Sequence, residues 1–253
     1  MTKSTVSQTT KLARVLTKHL TPSLGICFLL ALGTTPASHG AEVLLPYDAT
    51  YKISRSGLTA QRYIRLRRDG ELYTLVARLE PKGLLALSGW KTVTEESRFV
   101  LKNDRIHPLT YRRDDGSTRI DKDIQINFDW SSGKSHGRAK GQAQELTLVP
   151  HLVDPLTFEL AARRALLRGE QTPLIQVHEG HQIRPYRLIF EGQKSVPLGE
   201  TNISTLQYFI DRQSKRRLYC WLMPDHYFLP ARCERRHKKK LKTRSILVTS
   251  SLL

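Results

Sequence analysis

The chain has 253 residues, 41 of them lysine or arginine against 23 aspartate or glutamate, for a formal net charge of +18. That balance favours polyanionic surfaces: anionic lipid head groups, lipopolysaccharide, acidic glycans or nucleic acid. The length is ample for a packed core, and no apolar run approaches the ~20 residues a membrane-spanning helix needs.

Lys3, Lys11, Arg14 and Lys18 precede an apolar run from Leu24 to Leu32, and small and polar residues continue through Gly40 and Ala41. A basic, then apolar, then small-residue order is that of a bacterial export signal. Residues 1–40 are therefore expected to be a signal peptide and 41–253 a single soluble domain of the periplasm, free to associate peripherally with a membrane. Ile26 before Cys27 argues against a lipoprotein site. The leader carries 4 basic and no acidic residues, which leaves 37 basic against 23 acidic, or +14. Export makes nucleic acid the least favoured polyanion.

Tyr47, Ala49, Tyr51 and Ile53 alternate with Asp48, Thr50 and Lys52, the period of a strand. Residues 60–67 are expected to pair with 71–80 across Arg68-Asp69-Gly70, since Asp-Gly marks a hairpin. Leu84 to Leu87 and Trp90 form an apolar patch too short to read as a helix. Further strands are expected at 92–101, 106–113 and 120–129. The Gly-, Ser- and Lys-rich stretch 131–150 reads as a flexible loop or irregular hairpin and is the one plausible division of the domain. A helix is expected near 155–168, capped by Asp154 with Pro155 in its first turn and ended by Gly169. Its stripe is Leu156, Leu160, Ala161, Ala165 and Leu167, and Arg163, Arg164 and Arg168 suit the negative end of the dipole. Six more strands follow, near 172–179, 182–190, 200–212, 216–223, 229–237 and 243–250. The fold class is mainly β (α+β): a curved antiparallel sheet or partly open β-barrel with one principal helix.

Cys220 and Cys233 flank a hairpin whose opposed residues sum to 453, a register that allows a disulfide, which an oxidising compartment permits. His178-Glu179-Gly180-His181 lacks the spacing of a helical zinc motif, and neither His151 nor His226 is marked as a further ligand, so solvent-facing turn histidines are expected and no metal or cofactor is implied. Asp121, Asp123 and Asp129 read as solvated strand positions rather than glycosidase carboxylates. No serine sits in a nucleophile elbow. The enzyme question leans to no. From Arg232 to Arg244 eight cations are opposed only by Glu234, which suits either an anionic polymer or a solvated tip that protects a strand edge.

Several stretches carry a resemblance. They are Tyr51 to Ala60, Phe128-Asp129-Trp130, Val153-Asp154-Pro155-Leu156, Val196-Pro197-Leu198-Gly199, and Trp221-Leu222-Met223-Pro224-Asp225 followed by Leu229-Pro230-Ala231-Arg232. In this order they resemble the DUF3108 family of exported bacterial proteins. The resemblance implies an exported, mostly β domain and supplies no activity, cofactor or catalytic set. Cys220 and Cys233 look like additions to the family pattern.

The expected function is non-catalytic binding of an amphipathic or anionic envelope ligand such as a lipid. Leu84, Leu85, Trp90, Tyr227 and Phe228 are the candidate apolar contacts, and Arg232, Arg235 and Arg236 the candidate anion contacts. The alternatives are a structural or assembly factor that binds envelope protein or glycan, and a polymer-modifying enzyme.

Overall fold

Alternation becomes strand pairing throughout the described residues, 44–253, of the computed structural model. The expected signal peptide lies outside them. The first half of the domain is a meander: β1 (Tyr47–Arg55), β2 (Leu58–Asp69), β3 (Leu72–Lys82), β4 (Val93–Lys102), β5 (Arg105–Asp114), β6 (Ile124–Asp129), β7 (Lys134–Ala139) and β8 (Gln142–Thr147). A four-residue helix, α1 (Leu84–Leu87), interrupts it after β3. The short strand β9 (Leu152–Val153) and the helix α2 (Phe158–Leu167) separate this half from the second. The second half runs β10 (Leu174–His178), β11 (Ile183–Leu198), β12 (Thr201–Asp211), β13 (Arg216–Met223), β14 (Leu229–His237) and β15 (Lys240–Ser250).

The 15 strands of the described residues form one sheet, ordered β8-β7-β6-β5-β4-β3-β2-β1-β15-β14-β13-β12-β11-β10-β9. The first and last strands pair at its middle, so two meanders run outward from one central pair. Every ladder is antiparallel except β9 with β10. Tyr47, Ala49 and Tyr51 of β1, Ile64 and Leu66 of β2, and Tyr73, Leu75 and Ala77 of β3 are buried on the concave face.

The two ends of the sheet do not close by a ladder. They meet through side chains along a seam. Ser97 Oγ on β4 donates to Asp154 Oδ2 at 2.6 Å, both residues being fully buried. His178 on β10 reaches Ser135 on β7: Nε2 and Oγ are 2.8 Å apart. The Gly180 N–H donates to His178 Nδ1 at 3.1 Å, so Nε2 carries the ring proton and donates to Ser135. His178 is 1% exposed, which corrects the expectation of a solvent-facing turn histidine. Gly180 belongs to the same contact, since a Cβ there would lie 2.9 Å from Ala139.

The helix fills the curl. Asp154 Oδ1 accepts the N–H groups of Leu156 and Thr157, each at 2.9 Å, and its carbonyl accepts that of Phe158 at 3.0 Å. Asp154 therefore ties the turn that leads into the helix rather than capping it: regular helix starts at Phe158, Thr157 is the N-cap residue, and no side chain caps it. Phe158, Leu160, Ala162, Ala165 and Leu166 are all buried. Arg163 and Arg164 are buried too, at 6% and 5% exposure, while Leu167 is 40% exposed. The helix is thus surrounded by the sheet rather than laid on it, and its arginines do not simply face solvent at the dipole's end.

The stretch 131–150, read as a flexible loop or irregular hairpin, contains the regular hairpin β7–β8, paired from Lys134↔Thr147 to Ala139↔Gln142. Its buried positions are Ser135 and Ala139, so its inward face carries almost no hydrophobic signal. The Cys220–Cys233 disulfide forms between directly opposed residues, with Cα atoms 4.1 Å apart.

Candidate functional site

The end of the curl where β1 begins and β15 finishes also receives the β13–β14 turn and the C-terminal half of α2. In that turn Pro224–His226 makes one 3-10 turn, and Tyr227 and Phe228 then take consecutive left-handed conformations at φ 55° and 54°. Each such residue costs on the order of 1–2 kcal/mol when it is not glycine. Arg163 Nε donates to the Tyr227 carbonyl at 2.8 Å and so holds the turn against the helix.

Between these elements lies a cleft of about 280 Å³. Its walls are Leu44, Leu45, Leu66, Leu160, Leu167 and Leu252, with Tyr47, Tyr227, Arg163 and Arg164 supplying the polar groups. At ~30 Å³ for a water-sized group, the space admits roughly nine heavy atoms, which suits a head group or a short acyl segment rather than a whole lipid.

The two arginines differ. Arg164 is paired with Asp104 in the β4–β5 turn, which Arg168 also approaches at 3.4 Å. The Arg163 guanidinium lies over the Tyr47 ring, 5.1 Å from its centroid, and its Nη1 is buried with no hydrogen-bond partner. One helical turn earlier, Glu159 Oε1 is likewise buried and unpaired, as is the Tyr51 hydroxyl. Burial pushes the Tyr47 phenol up to about 12, with Arg163 opposing the shift. Burial also holds Tyr51 well above the usual tyrosine value, helped by the negative charge of Glu159. Both phenols therefore remain protonated donors at neutral pH. A fixed cation and the Tyr47 phenol in a largely leucine-walled space can receive an anionic group attached to an apolar one.

The candidate residues from sequence fall in three places. Tyr227 lines the cleft, and Phe228 beside it packs on the core. Leu84 and Trp90 are exposed around α1 at the opposite end of the sheet, with Leu85 buried beneath them. Arg232 and Arg236 are on the outer face of β14, where they and Arg244 surround the buried Glu234; Arg236 and Arg244 reach it at 2.6 and 3.0 Å. Burial pushes the Glu234 carboxyl up, and Arg232 and Arg236 together outweigh it and hold the group below its usual value. Arg232 and Arg236 also lie over Trp221 and Tyr219, 4.8 and 5.3 Å from the ring centroids. Arg235 points to the other face, as alternation requires.

Arg163 was missed as a site residue because three arginines near a helix C-terminus have a sufficient explanation in the dipole. The available signal was its position: Leu160, Arg163, Arg164 and Leu167 fall at i, i+3, i+4 and i+7, so the cations interrupt the apolar stripe itself.

A family model described as "Protein of unknown function (DUF3108)" matches residues 46–239. The chain belongs to this family. Among solved structures, it is similar to the crystal structure of a beta-barrel-like protein of the domain of unknown function DUF1849 from Brucella abortus. The TM-score is 0.51 at 13% identity, over 82% of this chain and 97% of that one. At that identity the likeness concerns the fold alone, and it agrees with the mainly β, curved-sheet architecture. No curated protein matches the chain in sequence.

Proposed function

We propose that this DUF3108 protein is a non-catalytic binding protein of the bacterial periplasm that takes an amphipathic ligand bearing an anionic group, such as part of an envelope lipid. The observation that carries the reading is the buried, unpartnered Nη1 of Arg163 beside a leucine-walled cleft. A buried cation left with an unused donor is costly, and a carboxylate or phosphate removes that cost with a charge-assisted hydrogen bond worth about 1.5–3 kcal/mol. Each methylene of an attached chain that enters the leucine wall adds about 0.8 kcal/mol. Export follows from the expected leader at residues 1–40, and the Cys220–Cys233 bridge suits an oxidising compartment.

Octanoate is the first probe, because its size matches the cleft, and octanol is its neutral control. Calorimetric titration is expected to show octanoate binding that Arg163→Met weakens by about ten- to a hundredfold, with octanol affinity falling far less. Leu167→Trp fills the exposed wall without touching the guanidinium and is expected to weaken both probes. The proposal fails if octanoate does not bind, or if folded Arg163→Met binds it as tightly as wild type.

A further inference from the structure

The end of the sheet opposite the cleft combines protruding apolar side chains with a concentration of cations. The register defines this end: β1 finishes there at Arg55, opposite Leu58 at the start of β2, and β14 turns into β15 there through Lys238 and Lys239. Gly83 and Gly89, at φ 54° and 79°, turn the chain out of β3 and back again, so the α1 segment projects. Leu85 pins the segment at 7% exposure. Leu84 and Leu87, one turn apart on the other side of α1, are 76% and 84% exposed, and Trp90 is 54% exposed. Leu58 and Leu241 are exposed on the same rim.

The cations come from several strands. The pairing Ser54↔Arg244 and alternation bring Arg55 level with Thr243, which pairs with Arg235. Arg216 pairs with His237 at the edge of the same rim, and Arg212 follows β12 there, its guanidinium 5.4 Å from the centre of the Tyr186 ring. Among the described residues, no carboxylate lies within ion-pair distance of Arg55, Arg212, Arg216 or Arg235. Desolvation, then the neighbouring Arg212, Arg216 and Arg55, hold the Arg235 guanidinium below its ordinary value, as crowded like charges should. Lys238, Lys239 and Lys240 are exposed at the hairpin tip. The turns at the other end carry Asp69, Asp104, Asp129, Glu200 and Asp225, and of the rim end's acidic residues Asp114, Asp115, Asp121, Asp123 and Glu179 lie at the β5–β6 and β10–β11 connections, outside the β1–β2, β12–β13 and β14–β15 turns. The unpaired cations of this rim are therefore concentrated on the side built by β1 and β12–β15.

We propose that this rim docks on an anionic lipid bilayer, with Leu84, Leu87 and Trp90 entering the interface while Arg55, Arg216, Arg235 and the Lys238–Lys240 tip meet lipid phosphates. Charge complementarity and side-chain type select the occupant. Lysine is depleted at protein–protein interfaces, whereas lysine- and arginine-rich rims with protruding Leu and Trp suit the head-group region of a membrane. The apolar groups stand on a projecting segment rather than in a groove, which favours insertion over capture of a partner's side chain. Docking at this end leaves the cleft facing away from the membrane, and the inference stands independently of what the cleft binds.

The test is flotation of the purified protein with vesicles of phosphatidylcholine alone or mixed with phosphatidylglycerol. Wild type is expected to float with the mixed vesicles, to be released by high salt, and to show a blue-shifted tryptophan emission that Trp90→Phe removes. The Leu84→Ser/Leu87→Ser variant is expected to bind at least about tenfold more weakly. Neutralising the tip as Lys238→Gln/Lys239→Gln/Lys240→Gln is expected to cost roughly a hundredfold and to flatten the salt dependence. All five positions are exposed, so unchanged melting temperatures certify the fold, and Arg163→Met is expected to float like wild type. The proposal is overturned if wild type stays unbound with mixed vesicles at low salt, or if both multiple variants bind unchanged. It is equally overturned by salt-insensitive binding to neutral vesicles, or by binding only to envelope fractions that contain protein.

Discussion

Acid should open the seam at His178, and the size of the effect follows from its environment. Desolvation pushes the imidazole down to about 4, from an ordinary value near 6.5. The ring accepts the Gly180 N–H, donates to Ser135, and meets Phe128 edge-on with centroids 5.5 Å apart. No position around it suits a second ring proton. Because the folded value is depressed, unfolded chains take up the proton first. The stability that the neutral ring contributes is complete above about pH 6.5 and is lost as pH falls towards 4. By about pH 5 the loss is about 2 kcal/mol, and across the whole window about 3 kcal/mol. For a domain of this size 2 kcal/mol lowers the melting temperature by about 4–8 °C. Urea unfolding from about pH 7.5 to about pH 5 would measure it, with His178→Gln as the control. Gln can still donate to Ser135 but does not titrate, so its loss over that range should be smaller by about 2 kcal/mol. Equal losses in the two proteins within about 0.5 kcal/mol, or an NMR titration of His178 near 6.5, would refute the argument.

Three further outcomes follow from single contacts. Replacing Cys220 and Cys233 by alanine removes a bridge across 13 residues of sequence, and loop entropy sets the cost at about 3 kcal/mol. Thermal unfolding of the double variant should therefore fall by about 6–12 °C, and an unchanged midpoint would show that the hairpin alone supplies the constraint. Asp154→Ala unties the turn that leads into α2 and removes the carboxylate that accepts from the buried Ser97 and Thr157 hydroxyls, for an expected loss of about 2–5 kcal/mol in urea. Asp154→Asn, which keeps an oxygen for the backbone N–H groups, should lose less. Gly137 pairs with Ile126, and a Cβ at that position would collide with the Gln125 carbonyl oxygen. Gly137→Ala should accordingly cost at least about 2 kcal/mol, and urea midpoints within error of wild type would mean that β7 can shift.

The parts of the fold that can be read from sequence are those whose signal is local. Tyr47, Ala49 and Tyr51 announce β1 through a period of two, Asp69-Gly70 announces the β2–β3 hairpin, and Asp154-Pro155 announces the turn into α2. The 453 register extends from Arg216↔His237 to Trp221↔Arg232 and brings the cysteines opposite each other before a bulge breaks it. The seam is not legible in the same way. Ser97, Ser135, Asp154 and His178 are polar residues whose partners lie 57 or 43 positions away, and nothing in periodicity distinguishes them from surface positions. The cleft is half legible. Tyr227 belongs to a conspicuous turn, but Arg163 becomes unusual only once the sheet is known to wrap around α2. The basic run from Arg232 to Arg244 misleads in another way, because alternation sends Arg235 to one face and commits Arg232, Arg236 and Arg244 to Glu234 on the other.

A sheet closed by side chains has a weakest line, and that line can be located. A full ladder must lose many backbone hydrogen bonds to open, whereas this seam is held by the Ser97–Asp154 and Ser135–His178 contacts and their surrounding packing. The central β1–β15 pair is flanked by β2 and β14, while β8 and β9 end the sheet. Native-state hydrogen exchange should therefore show β8, β9 and β10 opening at least about 2 kcal/mol more easily than β1, β2 and β15. Uniform protection across these strands would rule out a weak seam. Asp154 joins the seam to the base of α2, and α2 carries Arg163 to the cleft, so one helix spans the two. Octanoate seated against Arg163 should raise the protection of β9 and β10 as well as that of α2, because a ligand that binds only the closed form stabilises every contact that form requires. If octanoate binds and protects α2 alone, the helix and the seam open independently, and the cleft can fill and empty without the sheet yielding.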